Sequence, residues 1–333
     1  PPGYWNYLAA RAKRSFPDTL IAFGNRLPEA GMANDCIAKG EFDFWEVCRP
    51  LLADPEMVHK VAEGRQDEVR RCIGSLNCLS RLFRDLPYTC TMNPALGHEV
   101  EPEYQVTPAA VKKKVMVIGA GPAGMECAIT AKKRGHDVTV FDKAGRIGGN
   151  LYAYAINDLA RPDDLLSVIS HYEAVAKKLG IEVRLNTEVH AKFMRSVLHQ
   201  YDVCVIAAGA SIDRGRHAHV KGAERMLDGL DVAHGRVKAG QRVVVVGGGK
   251  IGLTLAEALR KHQGAEVTVI EPAKRIAGDV KPSFKWRHAS WVEELGIKCL
   301  TSTLLVEVGA DGVKVRNAKG EETFVAADTV IQA

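Results

Sequence analysis

The chain has 333 residues, 46% of them apolar and 26% charged, with a formal net charge of +5. That length holds two or three domains with ample core, and the composition is that of a globular protein rather than a disordered or fibrous one. The positive charge is spread along the chain, which speaks against a nucleic-acid or membrane-surface partner. No stretch is apolar for long enough to span a bilayer, and none reads as a signal peptide. The chain opens on Pro1-Pro2-Gly3-Tyr4 without an initiator Met and stops at Asp328–Ala333 inside an apparent strand, so a fragment cut at both ends is expected. Eight cysteines, clustered and without secretory features, favour metal or redox chemistry in a reducing, cytoplasmic compartment over disulfides.

Residues 1 to 66 alternate helix and strand. Tyr7 to Arg14 has a helical pattern, Thr19 to Gly24 reads as a short buried strand, Ala30 to Gly40 as a helix closed by glycine, and Asp43 to Val47 as a second strand. Cys48-Arg49-Pro50-Leu51-Leu52-Ala53-Asp54-Pro55 then leads into a helix from Glu56 to Glu63. Two βα units with short loops suit a parallel barrel or an open sheet, whose functional residues gather at the carboxyl ends of strands. Gly24, Asn25, Arg26 and Arg49 occupy those ends, although a surface cation is the plainer account of Arg49 alone.

Residues 67 to 110 break the alternation. Cys72-Ile73-Gly74-Ser75-Leu76-Asn77-Cys78 is followed by Cys90, Asn93-Pro94 and Gly97-His98-Glu99. A loop-rich stretch with three close cysteines suits an iron-sulfur core, which needs soft thiolates converging from irregular backbone. Three unlinked buried thiols are the alternative.

Residues 111 to 236 begin with Val115 to Ile118, an apolar run ending in Gly119, Gly121 and Gly124 at G-x-G-x-x-G spacing. The strand Val138 to Phe141 follows, with Asp142 just past it. This is a dinucleotide fingerprint. The first glycine permits a sharp turn, the second lets amides approach a pyrophosphate at the helix end, the third lets helix pack on strand, and the acid takes the ribose hydroxyls. Gly145 to Gly149 forms a second glycine loop, with Arg146 and Gly149 as further candidate contacts. A helix is expected over 163 to 179 and a strand over 181 to 185. The apolar strand Tyr201 to Ala210 ends in small residues, Gly209 among them, which permits close approach to a nucleotide.

Residues 237 to 325 repeat the organisation. Arg242 to Val246 leads into Gly247, Gly249 and Gly252, a helix to about Lys261, and the strand Glu266 to Glu271 with its acid in place. Two complete fingerprints are far more specific than one. They imply two dinucleotides, most simply a tightly held flavin and an exchanging nicotinamide. Val313 to Arg316 and Glu322 to Val325 read as a hairpin. Residues 326 to 333 are expected to begin a return of the chain to the first nucleotide domain.

The order of barrel end, cysteine segment and two fingerprints resembles the 2,4-dienoyl-CoA reductase and trimethylamine dehydrogenase branch of the old yellow enzyme family. Arg49 to Pro55 resembles the segment that holds the FMN phosphate, and Cys72 through Glu99 resembles the [4Fe-4S] segment. The resemblance implies an α/β chain: the end of an FMN-binding (β/α)8 barrel, a cluster on Cys72, Cys78 and Cys90, and a glutathione-reductase-like pair of domains for FAD and NAD(P). Two departures stand out. Ser75 replaces a family cysteine, so Ser75 or an exogenous ligand completes the cluster, or the cluster is incomplete. Cys48 replaces a glycine, and its side chain crowds the amide that approaches phosphate.

By resemblance, NADH reduces FAD, the cluster relays single electrons to FMN, and reduced FMN returns a hydride to the C=C bond of an unsaturated acyl-CoA or enoate. Glu271 favours NADH over NADPH by repelling a 2′-phosphate, while Lys274 and Arg275 leave NADPH as the alternative. The proton donor is expected in barrel strands outside this chain. The rival readings are an amine dehydrogenase with ADP as a structural ligand and a non-catalytic nucleotide-binding or electron-transfer module. A homo-oligomer is left open. The remaining histidines, Cys36, Cys127, Cys204, Cys299, Trp286 and Trp291 read as structural.

Overall fold

The computed structural model describes residues 2–333, Arg214 by its backbone alone. Two compact units result, Pro1–Gly149 with Asp163–Ala208, and Asn150–Pro162 with Gly209–Ala333.

The first unit opens with the helix Asn6–Ser15, β1 (Ala22–Phe23), the helix Ala30–Ala38 and β2 (Phe44–Trp45). β1 and β2 pair in parallel, Ala22 opposite Phe44. Leu27, Cys36 and Phe42 form the small core beside them. The strand expected over Thr19 to Gly24 is only two residues long and its Ala22 is exposed, because among the described residues it pairs with β2 alone. In place of the expected (β/α)8 barrel, the described residues show one pair of parallel strands, which does not make a barrel.

Further along come β3 (Lys114–Ile118), β4 (Asp137–Phe141), β5 (Glu182–Arg184) and β6 (Val203–Ile206), parallel throughout in the order β5-β4-β3-β6. Val115, Met116 and Val117 are buried in succession, as a central strand covered on both faces requires. Ile118 lies opposite Phe141 on one side and Ile206 on the other. The chain leaves β3 towards β4 and β5, then returns to β6 on the opposite side, and a sheet of this kind binds ligands at such a reversal.

The second unit repeats the plan with β7 (Leu227–Asp228), β8 (Arg242–Val246), β9 (Glu266–Glu271) and β10 (Lys298–Thr301). A meander of β11 (Thr303–Val308), β12 (Gly312–Asn317) and β13 (Glu322–Ala326) follows, and β14 (Thr329–Gln332) closes the sheet in the order β10-β9-β8-β14-β7. Alternation along β8 sorts its residues by face. Val243 and Val245 pack with Leu255, Ala256 and Leu259 of the helix Lys250–Gln263. Val244 and Val246 pack with Val308, Val313 and Val315 of the meander. The expected hairpin is therefore two strands of a three-stranded sheet.

Two placements differ from expectation. Residues 329–332, expected to lead back to the first nucleotide domain, pair with β8, Gln332 opposite Val246. Residues 227–228, expected with the first domain, form β7 on the outer edge of β14. Both follow from parallel pairing at long range, which fills the open side of β8.

Candidate dinucleotide and cofactor sites

Gly119 follows β3 at φ +109°, and a Cβ there would lie 2.1 Å from the Ala207 carbonyl oxygen. A Cβ on Gly124 would meet the Gly119 oxygen at 1.8 Å. Those two glycines are required by the fold itself. Gly121 is different: the nearest atom to its missing Cβ is Gly149 Cα, 3.9 Å away. The two glycine loops thus meet backbone to backbone at the start of the helix Pro122–Lys133, where a Cβ on Gly149 would lie 3.2 Å from Gly121 Cα. The helix opens on Pro122, which has no N–H, and its N-cap Gly121 has no side chain to cap the amides that follow, which leaves those for an anion.

Asp142 stands at the end of β4, and both its oxygens are engaged: Oδ2 accepts from Ala120 N at 2.6 Å and Oδ1 from Ala144 N at 2.7 Å. A carboxylate has about four acceptor positions, so ribose hydroxyls retain a place. Arg146 is exposed on the adjoining loop. Gly209, at φ +80° in the second unit, has open space around its missing Cβ.

The second fingerprint reproduces this geometry. Gly247 lies at φ +119°, a Cβ on Gly252 would meet the Gly247 oxygen at 1.9 Å, and Glu271 Oε2 accepts from Gly248 N at 2.8 Å while Oε1 accepts from Ala273 N at 2.7 Å. One feature has no counterpart in the first copy. Lys250 N, in the first turn of its helix, donates to both oxygens of Asp279, at 2.9 and 3.1 Å. Gly249 lies directly beneath, its missing Cβ 3.1 and 3.2 Å from those oxygens.

In the first unit a cavity gathers Cys72, Ser75, Cys78 and Cys90, with Arg49 and Thr91 also in its wall. Left-handed backbone at Gly74 (φ +59°) and Leu76 (φ +51°) folds the cysteine loop around it. Ser75 Oγ is 2.8 Å from Thr91 Oγ1, and Asn77 Nδ2 donates to Thr89 Oγ1 at 2.7 Å, which ties the two walls together. Burial pushes the Cys72 thiol pKa up, against the Gly74 amide and the cations Arg49 and Arg26, which favour thiolate. Among the described residues no three such side chains close around a single ion; in a multi-iron core the cysteine thiolates bind separate irons and need not converge on one. Three thiols around one cavity and nearby cations fit such a core.

A second cavity, lined by Gly24, Arg26, Glu46, Cys48, Arg49 and Cys72, shares Arg49 and Cys72 with the first. Gly24 admits no side chain, since a Cβ would lie 2.0 Å from the Glu46 oxygen. Arg49 makes no ion pair among the described residues, so its charge is available to a phosphate. Asn25 is exposed and does not line the cavity. Cys48 has extended φ of −128°, so its backbone does not require glycine. Arg26 is committed elsewhere: it bonds Asp164 and donates to the Cys72 carbonyl at 3.3 Å. Asp279 and Thr91 carry no sequence signal, because each acts through a contact between segments distant in the chain. Elsewhere the cysteines are free thiols, and burial raises the pKa of Cys36, Cys127, Cys204 and Cys299, the last to about 11.

The family model described as pyridine nucleotide-disulphide oxidoreductase matches residues 113–333. An NADH oxidase of Thermoanaerobacter brockii is 35% identical over 99% of this chain and 50% of its own length. A cinnamate reductase of Clostridium sporogenes is 32% identical over 95% of this chain and 46% of its own length. Among solved structures, a 2-naphthoyl-CoA reductase in complex with 2-naphthoyl-CoA superposes with a TM-score of 0.93 at 36% identity, over 100% of this chain and 50% of that one. The chain thus spans about half the length of the relatives it matches.

Proposed function

The chain belongs to the pyridine nucleotide-disulphide oxidoreductase family, in the branch of 2,4-dienoyl-CoA reductase and trimethylamine dehydrogenase, and on that premise we propose that it is the electron-input half of an enoate or unsaturated acyl-CoA reductase. The family makes it a flavoprotein oxidoreductase with FAD- and NAD(P)H-binding folds. The pair of fingerprints, each at the reversal point of its own parallel sheet, carries the reading.

Gly119, Gly121, Gly124 and Asp142 hold FAD, with Arg146 and Gly149 on the adjoining loop and Gly209 after β6. Gly247, Gly249, Gly252 and Glu271 hold NADH. Cys72, Cys78 and Cys90 ligate a [4Fe-4S] cluster, with Ser75 or an exogenous ligand at the fourth position, and Gly24 and Arg49 meet the phosphate of FMN, while Asn25 stays outside that cavity. When bound, these groups take hydride from the nicotinamide, divide it into single electrons and return a pair to an alkene activated by a carbonyl. The chain's own part is to keep the thiolates and the Arg49 cation on two cavities that share a wall. The substrate class rests on the similarity to the cinnamate and 2-naphthoyl-CoA reductases. A cytoplasmic protein acting on a small molecule completes the proposal.

The test is anaerobic incubation of the intact protein with NADH and a series of enoates, unsaturated acyl-CoA thioesters and methylated amines. Saturation of an alkene with matching NADH consumption is expected. Amine oxidation without NADH consumption would overturn the reading.

A further inference from the structure

The two fingerprints fold alike but differ over the first turn of the helix, where a dinucleotide places its pyrophosphate. In the first copy the helix opens on Pro122, which has no N–H to cap; in the second the same place is Lys250, whose N donates to both oxygens of Asp279, at 2.9 and 3.1 Å. We propose that Asp279 is a built-in place-holder for the pyrophosphate, displaced when the dinucleotide binds, and that it makes the second fingerprint an exchanging site. This rests on the dinucleotide reading above.

Three observations carry it. The carboxylate lies over Gly249, where the absence of a side chain gives it the space a phosphate would take. Its loop is anchored: Ala277 N donates to the Gly248 carbonyl at 2.8 Å, and Ala277, 3% exposed, packs with Leu253 and Val280. The charge nearby is that of an anion site. The Lys250 ammonium lies 4.6 Å over the Tyr154 ring, and Arg161 and Lys281 are near enough to oppose its charge while Asp158 and Asp279 support it. Three cations therefore meet two carboxylates at a helix N-terminus, and a dinucleotide pyrophosphate brings two negative charges where Asp279 brings one. Both cannot accept from Lys250 N over Gly249, so the ligand binds more weakly by what Asp279 gives up.

The experiment is calorimetric titration of the intact protein with ADP-ribose, which carries the pyrophosphate without redox chemistry, and with adenosine, which lacks it. Wild type is compared with Asp279→Ala and with Asp279→Asn, which keeps a hydrogen-bonding oxygen without the charge. Both variants are expected to bind ADP-ribose about fivefold more tightly, the size of a capping carboxylate at a helix end. Adenosine affinity and the FAD-to-protein ratio are expected to stay at the wild-type value. Unchanged or weaker ADP-ribose binding in both variants would overturn the proposal, as would an equal gain for adenosine. Absence of ADP-ribose binding in wild type and variants alike would overturn the dinucleotide reading, and this inference with it.

Discussion

His171 is 7% exposed, and its Nδ1 makes no hydrogen bond among the described residues. Burial pushes its pKa down from 6.5 to about 4, helped by Arg70 and Lys60 and opposed by Glu126 and Asp54. Between pH 6.5 and 4 the unfolded chain binds a proton that the folded chain does not, so stability falls as pH falls through that window and levels off below it. The loss is on the order of 3 kcal/mol. Thermal melts across the window should show His171→Gln less acid-sensitive than wild type; parallel pH profiles would contradict this. Glu271 offers a second residue-scale test. Its two oxygens are fixed by Gly248 N and Ala273 N, which holds a negative charge at the end of β9. Glu271→Gln should narrow the preference for NADH over NADPH roughly tenfold, the effect of ~1.4 kcal/mol in charge repulsion, in paired flavin-reduction assays.

At the scale of elements, the glycines divide into those the fold needs and those the ligand needs. Gly124 carries the helix against β3, and the 1.8 Å approach of a Cβ to the Gly119 oxygen cannot be absorbed by a flexible side chain. Gly124→Ala should destabilise the first unit by about 1–3 kcal/mol, the range of overpacked cores. Gly121→Ala places its methyl in ordinary van der Waals contact, 3.9 Å from Gly149 Cα. It should leave the melting temperature near wild type and lower FAD content. Differential scanning calorimetry with flavin quantitation separates the two; equal destabilisation by both would contradict the division.

Over the whole molecule, what could be read from sequence was what is local. The glycine turns, the apolar parallel strands and the acids Asp142 and Glu271 follow one another within short stretches, and their geometry came out as spaced. The cysteine spacing suggested a cluster-binding segment, and the three thiols do line one cavity. What could not be read depends on distant partners. β7 and β14 join the second sheet through long-range pairing, Thr91 reaches Ser75 across the cysteine segment, and Asp279 meets Lys250 through a loop whose path no spacing rule fixes. Arg26 stood in view beside Gly24, but its link to Asp164 joins residues 138 positions apart.

The central claim is that the two fingerprints work as a pair, the second presenting reduced nicotinamide to a flavin held by the first. The most direct measurement is anaerobic mixing of the intact protein with NADH while flavin absorbance is followed, with the bound nucleotides identified after denaturation. FAD among the released cofactors and bleaching of the flavin band by NADH are expected. Release of ADP in place of FAD, with a flavin spectrum that NADH leaves unchanged, would contradict it.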